Sequence, residues 1–180
     1  RQMCIRDRTY SKIAALKEET SGALLVDAGD HLQGTAYGGM DKGATIIELM
    51  NAVDYNVATL GNHEFDYGMA DCMTAIESAD FPYVSCNFRH ESNGAAGNLV
   101  LDSYRILESG GKKLAFVGIT TPETITSAAP AYFQDGNGNY IYGIDGGGDG
   151  EALYASVQHA IDAAKTAGAD YIIALGHLGV

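Results

Sequence analysis

The chain reads as an α/β protein with mixed β-sheets flanked by helices. Short apolar runs alternate with amphipathic segments over most of the length, the pattern of βαβ units. Two further runs flank Ser109-Gly110-Gly111 and predict a hairpin, which adds antiparallel pairing to the sheet. Three apolar runs end in a glycine followed by polar residues: Gly29-Asp30, Gly61-Asn62-His63 and Gly176-His177. Open α/β sheets bind ligands outside the carboxyl ends of their strands.

From the N-terminus, Tyr10 to Thr20 places Ile13, Leu16 and Lys17 at helical spacing, with Ser11 as the expected N-cap. ALLVDAGD, from Ala23 to Asp30, is a buried strand feeding a loop. Asp41 is expected to cap a helix through about Ala52, whose apolar face is Ile46, Ile47, Leu49 and Met50. Asn56 to Leu60 is a second strand, Tyr67 to Ser78 a helix and Tyr83 to Cys86 a strand. Ser103 to Glu108 and Lys112 to Ile119 form the hairpin. Pro122 to Gly150, glycine-rich and with two prolines, reads as an irregular surface excursion. A calcium loop is the sharper reading there. The EF-hand pattern needs an acidic twelfth residue, and Asp135-Gly136-Asn137-Gly138-Asn139 does not match that spacing. Glu151 to Ala167 is an amphipathic helix, and Asp170 to Leu175 a strand ending at Gly176-His177. No internal repeat and no linker divides the chain.

Composition narrows the function. Hydrophobic residues make up 46% and charged residues 19% of 180, an ordinary globular mix that excludes disorder as the main state. The net charge is −12. Such a surface repels phosphate backbones and anionic lipid, which argues against a nucleic-acid polymer or a membrane surface as partner. A small anionic substrate remains compatible, because a bound divalent cation reverses the local sign. No apolar run reaches the roughly 20 residues needed to span a bilayer. Cys4, Cys72 and Cys86 are too few and too scattered for a disulfide framework or a thiolate zinc site.

Residues 1–8, RQMCIRDR, differ in composition from the rest of the chain. They hold three of the five arginines, and removing them with Asp7 takes the net charge from −12 to about −14. No apolar stretch succeeds them, so they do not form a signal peptide. They resemble translated read-through, which leaves 9–180 as the domain to be explained.

Asp30, Asn62 and His177 offer a carboxylate, a carboxamide oxygen and an imidazole, a mixed oxygen and nitrogen set suited to zinc, manganese or iron. Each alone has a plainer reading: Asp30 as a cap or turn residue, Asn62 as a turn residue, His177 as a structural histidine. Their joint occurrence at three strand ends favours a site. The preceding glycines, Gly29, Gly61 and Gly176, are expected to let the backbone turn sharply.

The motifs GDHLQG (Gly29 to Gly34), GNHEFDYG (Gly61 to Gly68) and GHLG (Gly176 to Gly179) occur in this order. Order and spelling resemble the calcineurin-like metallophosphoesterases. GNHEFD with GDxxQG resembles their 5'-nucleotidase / 2',3'-cyclic-nucleotide phosphodiesterase branch. The resemblance covers about Tyr10 to Val180. It implies a metallophosphoesterase-type layered sandwich, truncated at both ends, from an N-terminal catalytic domain that the family follows with a C-terminal substrate domain.

Carried over by position, the resemblance makes Asp30 the carboxylate bridging two divalent ions (Zn, Mn, Co or Fe), with Asn62 and His177 ligating the second. His63, with Asn62, would face the substrate phosphate and help the leaving oxygen take a proton; Asp66 would orient His63. The implied chemistry is two-metal hydrolysis of a nucleotide 5'-phosphate or cyclic nucleotide. Glu64 and Phe65 read as structural. Gln33 and Asn87 either support the site from behind or, the favoured reading, are structural. His90, in a loop, and His159, in a helix, are not expected to be ligands, and His31 is expected to point away from Asp30. An Asp-x-His pair upstream and a Gly-His-x-His segment downstream belong to the family pattern, and neither spelling occurs in the chain. The chain alone is therefore expected to be nearly inactive, and a missing first strand to lower its stability. Branch members are usually exported, so a periplasmic, cell-wall or extracellular location is expected. The alternatives are a hydrolase for another phosphorylated or sulfur-containing small molecule, and a non-catalytic metal- or ligand-binding module. The paired His63 and Asp66 argue against the latter.

Overall fold

The computed structural model describes residues 2–92, 94–146 and 148–178, with the side chains of all of these except 2–7 and Tyr37. Helix α1 spans Gln2–Glu19, so Ser11 lies inside it and is not its N-cap. No glycine or proline interrupts the first 20 residues, and nothing local stops the helix. Lys17 fastens its end, Nζ donating to the carbonyl oxygens of Val53 at 3.3 Å and of Asp54.

Strands β1 (Val26–Asp27) and β2 (Val57–Ala58) pair in parallel, Val26 opposite Val57 and Asp27 opposite Ala58. Both are shorter than their apolar runs, because the chain leaves the ladder early to build loops. Between them lie α2 (Ala36–Asp41) and α3 (Ala44–Ala52). Helix α2 was not legible in the sequence, since Gly38 and Gly39 are poor helix formers; the Thr35 hydroxyl caps it by accepting from Gly38 N. Asp41 closes α2 and also serves α3 in the expected way, accepting from Gly43 N at 3.2 Å and Thr45 N at 3.0 Å.

A 3-10 turn, His63–Phe65, and α4 (Met69–Ser78) come after β2. The expected strand at 83–86 forms only isolated parallel bridges, Tyr83 to Ala58 and Val84 to Asp102. Cys86 N then bonds to Gly118 O at 2.8 Å. This stretch links the β1–β2 pair to a three-stranded mixed sheet of order β5-β6-β8. There β5 (Tyr104–Ser109) and β6 (Lys112–Thr120) are the expected hairpin, and β8 (Tyr171–His177) joins β6 in parallel. Helix α6 (Glu151–Thr166) packs against this sheet through Ala160 and Ala164.

A second three-stranded sheet, β4-β3-β7, was not foreseen. It consists of β3 (Phe88–Ser92), β4 (Ala95–Leu99) and β7 (Tyr142–Ile144). The structure corrects the reading of 122–150 as a surface excursion. Besides β7 this segment contains α5 (Thr124–Ser127) and a 3-10 turn, Pro130–Phe133, and Phe133 is fully buried against Phe65 at a centroid distance of 5.2 Å. Phe133 and Ile144 both join the main core, and Ile125, Ala128 and Tyr142 pack against it. The main core gathers Phe65, Phe88, Phe133, Leu60, Ile47 and Met50 beneath the β1 and β2 loops.

Candidate active site

The loops after β1 and β2 approach one another backbone to backbone. Gly29 has φ +96°, and a Cβ on it would stand 2.2 Å from Gly61 N. A Cβ on Gly61 would stand 2.2 Å from Asp30 Oδ1. Both glycines are therefore demanded by close approach, and Gly29 also by its turn. Gly176 plays no such part: it lies within β8, paired with Ile119, and the expected turn there is absent.

Asp30 follows Gly29 with φ +65°, a left-handed conformation uncommon outside glycine. Its two carboxylate oxygens are divided. Oδ1 accepts from His63 N at 3.0 Å, and Oδ2 lies 3.0 Å from His177 Nε2. The ends of β1 and β8 and the turn after β2 thus meet at one carboxylate.

His63 Nδ1 lies 2.7 Å from Asp66 Oδ2. The two are three residues apart across the 3-10 turn, spacing that brings side chains to one face. An ionised carboxylate only accepts, so the shared proton sits on Nδ1 and Nε2 is left to another partner. The His63 side chain is 44% exposed. The bond to Asp66 raises its pKa above the ordinary 6.5; desolvation works against this, and the charges of Asp66, Asp30 and Glu64 add to it.

Asn62 directly precedes His63 on the same loop and is half-buried. Among the described residues no group of three or more His, Cys, Asp and Glu side chains stands together as a metal-binding cluster. What meets is the Asp30–His177 pair with His63 beside it. The donor chemistry suits a divalent cation: a carboxylate oxygen and an imidazole nitrogen point at one another, and a carboxamide lies on the adjoining loop.

Beneath the pair lies a polar layer only partly foreseen. His31 turns away from Asp30, as expected. Its Nδ1 lies 2.8 Å from Asp27 Oδ1 and its Nε2 2.7 Å from Tyr83 Oη. Burial opposes its charged form, but the bond to Asp27 and the fields of Glu64, Asp27 and Asp30 outweigh it and raise its pKa. Asp27, which sequence reasoning passed over, also accepts from Gly29 N at 2.8 Å. The Asp-x-Gly spelling, an Asp bonding two residues on, was the available signal. Asn87 is structural: Nδ2 donates to Thr120 O and Asp145 O, while Oδ1 accepts from Thr120 N. Gln33 is exposed, and the His90 ring packs on Tyr142. His159 lies within α6. Gly179 and Val180, the last residues of the GHLG motif and beyond, lie outside the described residues.

No protein-family model matches the chain. Among curated proteins it is similar to the snake venom 5'-nucleotidase of Gloydius brevicauda, 34% identical over 175 residues. That alignment takes in 96% of this chain and 27% of the venom protein. Among solved structures, a calcineurin-like phosphoesterase from Bacillus subtilis superposes with a TM-score of 0.76 at 29% identity, over 96% of this chain and 53% of that one. The 5'-nucleotidase precursor of Thermus thermophilus gives 0.72 at 27% identity, over 93% and 30%. The chain thus spans little more than a quarter of the length of the curated relatives it matches.

Proposed function

The chain is a member of the calcineurin-like phosphoesterases, homologous to the N-terminal part of 5'-nucleotidases, and on that premise we propose that it is catalytic sequence from a metal-dependent hydrolase of nucleotide phosphoesters. The observation that carries this reading is the sharing of Asp30, one oxygen on His63 N and the other on His177 Nε2. It joins the three strand-end motifs at one point.

Asp30, Asn62 and His177 would hold a divalent cation (Zn, Mn, Co or Fe), and Asp30 would also help to hold a second. Such cations neutralise charge on the phosphoryl oxygens when bound. The chain's own residues divide the remaining work. Asp66 fixes the His63 ring through Nδ1 and leaves Nε2 to another partner on a side chain that is 44% exposed. The raised pKa of His63 favours the imidazolium, which can hydrogen-bond a phosphoryl oxygen and give its proton to the departing alkoxide. Asn62, beside it, contributes to substrate contact.

The whole protein is proposed to be exported and to carry a substrate-binding C-terminal domain; relatives much longer than the chain, one of them a venom protein, support this. Among the described residues no helix is long and apolar enough to cross a membrane. The arginine cluster in 1–8 supports a domain proper that begins at about residue 9. Three ligand residues fall short of what two cations need, so the 180-residue chain assayed by itself is proposed to turn over far more slowly than the whole protein.

Manganese- or cobalt-dependent release of phosphate from AMP by the whole protein tests the reading. His63→Ala is expected to lower turnover by roughly 10²- to 10⁴-fold with metal content nearly unchanged. Loss of metal with the residual rate per bound metal intact would refute the role given to His63.

A further inference from the structure

Glu64 is 1% exposed, and a buried carboxylate must find hydrogen-bond donors. Among the described residues the basic group within ion-pairing reach, His31 Nδ1, is 3.6 Å away and already lies 2.8 Å from Asp27. Backbone amides serve instead. Glu64 Oε2 accepts from Gly61 N at 2.6 Å and Asp30 N at 2.8 Å. Oε1 accepts from His31 N at 2.8 Å and Leu32 N at 3.3 Å.

Three of those four amides belong to the loop after β1, while Glu64 itself sits in the turn after β2. The bond in the other direction is Asp30 Oδ1 accepting from His63 N. Each loop thus offers a carboxylate to the other's backbone. Three of the amides that Glu64 holds belong to Asp30 and the two residues after it, and Asp30 itself is kept at φ +65°. A left-handed aspartate persists only where its surroundings over-determine it.

We propose that Glu64 is a positioning residue: it latches the Asp30 loop onto the His63 turn and so sets the spacing between the metal-facing carboxylate and the phosphate-facing imidazole. This rests on the function proposed above. A glutamine would keep the shape but replace one accepting oxygen by an amide group that confronts two N–H donors. An aspartate would keep the charge but fall one methylene short.

The test compares wild type, Glu64→Gln and Glu64→Asp in the whole protein, first metal-free, by hydrogen–deuterium exchange with mass spectrometry. Exchange is expected to quicken in peptides spanning 28–33 while those of β6 stay protected. Manganese affinity, by titration, is expected to fall about 10- to 100-fold, as for lost outer partners of metal ligands. With AMP, kcat is expected to drop while KM changes little. Unchanged exchange at 28–33, equal loosening of β6, wild-type manganese affinity, or loss of the native fold in both variants would each overturn the latch. If only Glu64→Gln fails to fold, Glu64→Asp decides. A wild type that neither binds manganese nor releases phosphate would sink the proposed function instead, and the metal-free exchange would still judge Glu64.

Discussion

His63 and Asp66 form a unit that three-residue spacing could predict, and the 2.7 Å contact between them follows from one tight turn. Asp66→Asn keeps the shape but can present either an accepting oxygen or a donating amide to Nδ1, so it no longer fixes the tautomer. It is expected to lower kcat of the whole protein about 10- to 100-fold with little change in KM; equal kcat in steady-state assays would remove Asp66 from the mechanism. Glu64 shows the opposite situation. Its burial suits a structural residue, but its four amide partners, three of them more than 30 residues away, are invisible to local spacing. Asp27 went unnoticed because its partner His31 becomes meaningful only with Tyr83 placed behind it.

Strong periodicity survived folding and weak periodicity did not. Helix α6, the β5–β6 hairpin and β8 appear close to where their patterns put them, since each carries a long, consistent apolar face. The hairpin β3–β4 was missed because four of the five residues of β4 are exposed, which leaves no alternation to read. The segment 122–150 reads as irregular because its glycines and two prolines break its apolar residues into short clusters with no period. Phe133, packed on Phe65, is where that element is anchored. Phe133→Ala is expected to destabilise the protein by about 3–5 kcal/mol, visible as a lower urea midpoint. A shift under about 1 kcal/mol would mean that the segment rides on the surface after all.

Weak acids shielded from water, Cys86 buried and Tyr55 half-buried among them, make the whole molecule sensitive to alkali. Burial pushes the Cys86 thiol up from 9.0 to about 11 and the Tyr55 phenol from 10.0 to about 12. Both values are raised in the folded state, so the associated stability is complete below pH 9. It is lost as pH climbs through 9 to 12, because the unfolded chain releases protons that the folded one retains. The urea midpoint is expected to fall between pH 8.5 and pH 11. A midpoint unchanged over that span would mean that neither group is shielded from water in solution. Cys72 is shifted upward as well, by burial and then by Glu64.

The sequence by itself determined the α/β class, the polar strand ends and the His63–Asp66 pair, because backbone period and short-range bonding depend on neighbours a few residues away. Only the tertiary structure decided that Asp30 gives one oxygen to His63 and the other to His177, that Gly29 and Gly61 must lack a Cβ, and that Glu64 joins the two loops. Those facts depend on how closely separate strands bring their loops, and that distance is set by packing of the core beneath them, which spacing along one chain does not encode.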